Sequence, residues 1–194
     1  MDKNLSNSKI NQTDTINQAQ TDMCKGYADG AIGIIISGLI WLTSAIVCLQ
    51  FSAKQGIWAL LIGGVFIFPL SVIVAKAMGR SGTHSKGNTL GNLAMEGTLF
   101  MLMCMPLAFG LSLQHHEWFF QAMLMIIGGR YLTFASIYGI KLYWILGAVL
   151  GIAAYLLFSL KVQSFGSAIT GSIIEITFGI FMLINSRKNS ITTT

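Results

Sequence analysis

Apolar positions along this chain fall into six long blocks. They run Ala31–Phe51, Gly56–Ala75, Leu93–Gln114, Trp118–Ile140, Leu142–Leu160 and Gly166–Ile184. A helix needs about 20 residues to cross the hydrocarbon layer, and each block is near that length. None shows the alternation of a barrel strand. Backbone groups in lipid must bond within their own segment, so the blocks predict helices. The expected fold is all-α, an integral membrane bundle of six transmembrane helices over residues 30–185. Its order suits construction from three helical hairpins. Only the connection Met78–Asn92 is long.

The polar ends have their own pattern. Residues 1–29 are rich in Asn, Gln, Ser, Thr and Asp, and residues 1–12 read as disordered. From about Thr13, the positions Ile16, Ala19, Met23 and Tyr27 recur at helical spacing. That spacing fits a short interfacial helix, with a solvated linker as the alternative. Residues 186–194 form a polar tail. No basic-then-apolar run opens the chain, so no cleaved signal peptide is expected.

Composition narrows the class. Of 194 residues, 54% are hydrophobic and 10% are charged, against about 25% charge in soluble domains. Mean hydropathy is +0.68. Such a chain could not cover its own surface with polar groups in water. This points away from a soluble enzyme and from a nucleic-acid binder, and makes the lipid bilayer the expected partner. Cys24, Cys48 and Cys104 give neither a disulfide framework nor zinc spacing.

Basic residues predict the orientation. If the N-terminus is cytoplasmic, nine cations lie inside: Lys3, Lys9, Lys25, Lys76, Arg80, Lys86, Lys141, Arg187 and Lys188. Two, Lys54 and Lys161, lie outside. Both termini are therefore expected in the cytoplasm. A faint repeat also runs through the chain. Ile62-Gly63-Gly64-Val65-Phe66 resembles Ile127-Gly128-Gly129-Arg130-Tyr131, and Ser71/Ser136 and Lys76/Lys141 keep the same 65-residue offset. A parallel repeat of hairpins or plain chance would produce it.

Three stretches carry a resemblance. They are Gly128-Gly129-Arg130-Tyr131-Leu132-Thr133-Phe134-Ala135, Leu61-Ile62-Gly63-Gly64, and Gly79-Arg80-Ser81-Gly82-Thr83-His84 leading to Leu93-Ala94-Met95-Glu96-Gly97-Thr98. Over about residues 20–185 the chain resembles a family of small bacterial multi-pass membrane proteins defined only as a domain of unknown function. The resemblance implies a bacterial cytoplasmic-membrane protein and supplies no activity. Six spans in hairpins are also similar to small bacterial membrane proteins linked to stress, which is an architectural analogy alone.

Arg130 is the most informative residue. Arg at mid-membrane costs about 2.5–3.5 kcal/mol even on mild insertion scales. Such a residue should face the protein interior with a partner, and Glu175, at similar depth in span six, is the natural candidate. Glu175 shares a stripe of four-residue spacing with Ser167, Gly171 and Gly179, which favours close helix approach. The site is either a charged point on a solute path or a structural ion pair locking two helices. Gly128-Gly129 would either break the helix toward a ligand or allow tight packing.

Weaker candidates surround this one. Glu96, near the cytoplasmic start of span three, would pair with Lys76 or Arg80, or simply sit at the headgroups. The loop with Arg80, His84 and Lys86 could cradle a phosphate or an anionic lipid headgroup. It lacks the ending of a nucleotide loop. Met101, Cys104 and Met105 are soft ligand types, and His115-His116-Glu117 forms a polar turn, but packing explains them and no metal or other cofactor is expected. No nucleophile elbow or HExxH motif is present, so no enzyme is expected. Two functions stand open. One is a small transporter or channel-like protein with Arg130, Glu175 and Glu96 on its path. The other is a non-transporting structural, stress-related or interaction protein. Self-association fits either one.

Overall fold

The computed structural model describes the backbone of residues 2–191 and the side chains of residues 15–186. Its helices are α1 (Asp2–Tyr27), α2 (Ala31–Gln50), α3 (Ala53–Ala77), α4 (Thr89–Ser112), α5 (His116–Tyr138), α6 (Leu142–Ser159) and α7 (Ser164–Ile191), with a single 3-10 turn at Ala28–Gly30. Among the described residues, six helical stretches are long and apolar enough to cross a membrane. Helix α1 begins at Asp2, well before Thr13, and so covers residues read as disordered from composition. Their side chains, and those of the tail after Ser186, lie outside the described residues.

The ends of the helices have local causes. Ser52 caps α3 by accepting from the Gln55 N–H, and Asn88 caps α4 by accepting from the Leu90 N–H. Helix α5 stops at Gly139, whose φ of 68° suits glycine and ends the helical ladder.

Four helices make the centre. Helix α2 lies along α7, α5 lies along α6, and α5 and α6 both touch α7. Helix α3 packs on the flank of α2, and α4 on the flank of α5. The α2–α3 and α4–α5 hairpins are thus closely packed. The third hairpin is looser, because α6 packs mainly on α5 and α7 mainly on α2. Helices α3 and α4 turn large apolar side chains outward, with Val65 at 73% and Met103 at 78% exposure. In water this would be an aggregation surface, whereas in a bilayer it is the lipid face.

Glycines set the closest approaches. A Cβ on Gly38 of α2 would stand 2.7 Å from Cγ1 of Ile176 on α7, and one on Gly171 would stand 3.0 Å from the Trp41 ring. Ser167, Gly171, Glu175 and Gly179 are all buried, so the stripe does face inward. Between α5 and α6, a Cβ on Gly128 would meet the Gly147 carbonyl at 2.9 Å, and one on Gly147 would meet the Gly128 carbonyl at 2.7 Å. A Cβ on Gly129 would meet nothing within 4 Å. Helix α5 continues through both glycines, so the pair does not break the helix. Of the two roles expected for the pair, Gly128 serves packing. Buried Trp41, Phe119, Phe120, Leu124 and Leu150 fill the rest of the core.

The N-terminal end of α2 lies beside the C-terminal part of α7, with Gly179 against Ala31 and Ile35. Both chain ends therefore leave from one end of the bundle, called here the terminal end. Helix α1 straps across it. Asp22 accepts hydrogen bonds from the Ser85 N–H (2.9 Å), Ser85 Oγ (3.0 Å) and Asn88 Nδ2 (2.8 Å). Gln20 donates to the Ser136 carbonyl at 2.8 Å, and Tyr27 Oη lies 3.0 Å from His84 Nδ1. The strap turns into α2 through Ala28 (φ 50°), Asp29 (φ 57°) and Gly30 (φ 77°). Two non-glycine residues in the left-handed region each cost about 1–3 kcal/mol, which the docking bonds of α1 offset.

Candidate functional site

Arg130 and Glu175 are not a pair. Their charged groups lie outside ion-pair distance, although both side chains are described. The reason is helical geometry. Consecutive residues on α5 point about 100° apart, so Arg130 and Tyr131 serve different neighbours. Arg130 turns to α4. Its Nη2 donates to Thr98 Oγ1 at 3.0 Å, and Nη1 lies 3.6 Å from the Met101 sulfur. The guanidinium sits over the Phe134 ring, 5.1 Å from its centroid. The Thr98 hydroxyl donates its own proton to the Ala94 carbonyl, which leaves a lone pair for Arg130.

The depths of these groups agree. Arg130 is eight residues before the end of α5 and Thr98 nine residues after the start of α4. At 1.5 Å per residue, both are about 12–14 Å in from the terminal end of their helices. The guanidinium is half-buried, all its protein contacts are neutral, and its Nε has no partner. An arginine has five donors and a charge that protein does not remove. Here the fold supplies neither a carboxylate nor enough acceptors.

Tyr131 turns the other way, to α7. Its hydroxyl donates to Glu175 Oε1 at 2.9 Å, and both residues are buried, Glu175 completely. Ser37 of α2 also faces this carboxyl, and Oε2 has no partner within hydrogen-bond geometry. Behind Tyr131, a ladder of rings leads to the terminal end. Tyr131 stacks on Tyr143 with centroids 6.0 Å apart, and Tyr143 stacks on Tyr138 at 5.5 Å. Tyr143 then donates to the Asp29 carbonyl at 2.7 Å, which ties the ladder to the strained turn beside the strap.

The remaining candidates are spread out. Glu96 is exposed on α4, without an ion pair to Lys76 among the described residues. Arg80, His84 and Lys86 lie in the α3–α4 loop under the strap. His84 contacts Tyr27, while Lys86 is exposed. Hydrogen bonds from Asn88 and from the Ser85 N–H hold the Asp22 carboxyl beside this loop below the usual carboxylate range. His115 Nδ1 lies 3.4 Å from Glu117 at the opposite end. Among the described residues, no three His, Cys, Asp or Glu side chains converge as a metal site would need.

Residues 16–185 match a family of unknown function, DUF7010. The chain belongs to this family. No curated protein and no solved structure matches it. Membership of DUF7010 therefore brings no activity, and the chemistry of this DUF7010 protein must be read from its own residues. Sequence reasoning missed four of them: Tyr131, Ser37 and Thr98, which hold the two charged groups, and Gln121. Gln121 is buried and donates to the Leu157 (3.3 Å) and Val162 (3.1 Å) carbonyls, joining α5 to the end of α6. Each carries the same signal, a polar group inside an apolar block, but at lower contrast than a charge.

Proposed function

We propose that this DUF7010 protein is a small transporter or channel-like protein of a bacterial cytoplasmic membrane that handles an anionic solute, with Arg130 as its recognition cation. The observation that carries this reading is the neutral surroundings of Arg130. A cation kept at that depth without a counter-charge holds a place for one. An anionic group reaching the open guanidinium nitrogens would supply the missing acceptors in charge-assisted hydrogen bonds. The non-transporting reading draws its support from the sealed Tyr131–Glu175 bond, which has the form of a packing device. It lacks the Arg130–Glu175 bridge that would have been its main lock.

The nine-to-two distribution of cations supports a cytoplasmic location for both termini. Exposed Lys25, Lys76, Lys86 and Lys141 then face anionic lipid headgroups from that side. Reporter fusions after Thr194 and in the loop at Glu117 are expected on opposite sides, and a shared side contradicts the orientation. The function is tested in proteoliposomes loaded in turn with chloride, inorganic phosphate, acetate and benzoate. At least one anion is expected to leave faster through the native protein than through Arg130→Gln. Equal flux for both proteins across the panel contradicts the reading.

A further inference from the structure

We propose that Glu175 is a proton-binding site in the middle of the bundle, neutral in this conformation and able to exchange its proton with water. Its surroundings carry the argument. The carboxyl is fully buried about 16 Å from the outer start of α7, counting eleven residues from Ser164. One oxygen, Oε1, accepts from Tyr131 Oη at 2.9 Å, and the other has no donor. An ionised carboxylate in a dry interior needs several donors or an adjacent cation, and an uncompensated one is strongly disfavoured.

The groups that face it are few. Tyr131 and Arg130 come from α5, with the Arg130 guanidinium turned away to Thr98. Tyr143 of α6 lies behind Tyr131, and Ser37 of α2 is not ionisable near neutral pH. Within one turn on α7 itself, Gly171 to Gly179 hold no other ionisable residue. The Tyr131 donor on Oε1 leaves Oε2 as the oxygen that carries the proton, and Ser37 faces the same carboxyl. When α2 and α7 separate enough to admit water, the Oε2–H bond breaks, its electron pair stays on the carboxylate, and the proton passes to that water. Tyr131 then continues to donate to Oε1, and the field of Arg130 supports the charge. The close α2–α7 crossing at Gly38, where even a Cβ would meet Ile176, is the seal that must open.

The proton site stands without the anion reading. Its role as the positive charge that accompanies an anion at Arg130 rests on that reading. Infrared spectra of the purified protein in lipid at neutral pH, before and after equilibration in heavy water, decide the matter. The native protein is expected to show a protonated-carboxyl carbonyl band that is missing in Glu175→Gln and moves to lower wavenumber in heavy water. Tyr131→Phe removes the hydrogen bond on the carbonyl oxygen and is expected to move the same band upward. This assigns the band even if Glu175→Gln fails to fold. A missing band means that Glu175 is ionised, and a band that ignores heavy water means a sealed structural acid. Either result overturns the proposal. No anion is needed for the spectrum, so it can fail while Arg130-dependent flux is present, or succeed while it is absent.

Discussion

Removing the Tyr131 hydroxyl isolates the buried hydrogen bond that joins α5 to α7. Tyr131→Phe keeps the ring, with its stack on Tyr143 and its edge contact with Phe134. Only the hydrogen bond to Glu175 is lost. Interhelical hydrogen bonds in membranes average about 0.6 kcal/mol and reach about 1.7. Leaving a buried acceptor unsatisfied costs about 1–3 kcal/mol. Here Oε2 is already unpartnered, so the substitution strips the carboxyl of its last donor within hydrogen-bond geometry. The expected cost is therefore about 1.5 kcal/mol, near the top of the membrane range and close to tenfold in the unfolding equilibrium. Reversible unfolding in mixed micelles by a denaturing detergent reads it. In a Glu175→Leu background the same substitution should cost close to nothing. Arg130→Met should cost the same in both backgrounds, within about 0.5 kcal/mol, as independent sites do. The reasoning is refuted if Tyr131→Phe costs equally with and without Glu175. A collapse of the Arg130→Met cost once Glu175 is gone would refute it too, because the two charges would then be coupled.

The paired glycines of α5 give an internal control. Gly128→Val forces the α5–α6 backbones apart and is expected to destabilise by about 1–3 kcal/mol, whereas Gly129→Ala, with open space beside it, should be neutral or gain up to about 1 kcal/mol in helix propensity, both measured by the same unfolding assay. Asp22→Ala should loosen the strap by about 1 kcal/mol after discounting its three bonds for water exposure, seen as faster amide exchange over residues 17–27 and 82–88. The sign with pH follows from the lowered Asp22 value: the docking contribution is complete above the ordinary carboxylate value of about 3.9 and is lost as pH falls through the depressed one. Asp22's own share, the difference in strap exchange between the native protein and Asp22→Ala after correction for intrinsic rates, should thus be constant between pH 8 and pH 5 and shrink only in stronger acid.

Spans were legible because lipid imposes one rule on every residue of a segment. Six apolar blocks became six helices with ends shifted by a few residues, such as Gly56–Ala75 growing to Ala53–Ala77 once Ser52 caps it. The inward stripe through Glu175 was legible for the same reason, since small residues at helical spacing define a face. Partners were not. Depth places Arg130 and Glu175 at similar levels, but the azimuth of each side chain depends on which helices are neighbours. That neighbour order, with α4 and α7 on different sides of α5, is set by long-range packing at crossings such as Gly38–Ile176 and Gly128–Gly147. The strap was only half visible. Its spacing fitted a helix but equally left a linker open, while the bonds from Asp22 to Ser85 and Asn88 join residues more than 60 positions apart.

Access to the face that carries Arg130 is the most direct test of the proposed path. Thr133 lies one turn further along α5 and faces α4 near Gly97, where a Cβ on Gly97 would be 3.4 Å from Thr133 Oγ1. Thr133→Cys, in a protein with Cys24, Cys48 and Cys104 replaced by Ser or Ala, reports whether water reaches that face. A membrane-impermeant thiol reagent is applied to each side of the membrane in turn. A solute path past Arg130 predicts labelling from at least one side, reduced by the anion that gives Arg130-dependent flux. A folded protein that stays unlabelled from both sides would contradict the path and leave Arg130 as a packing element between α4 and α5.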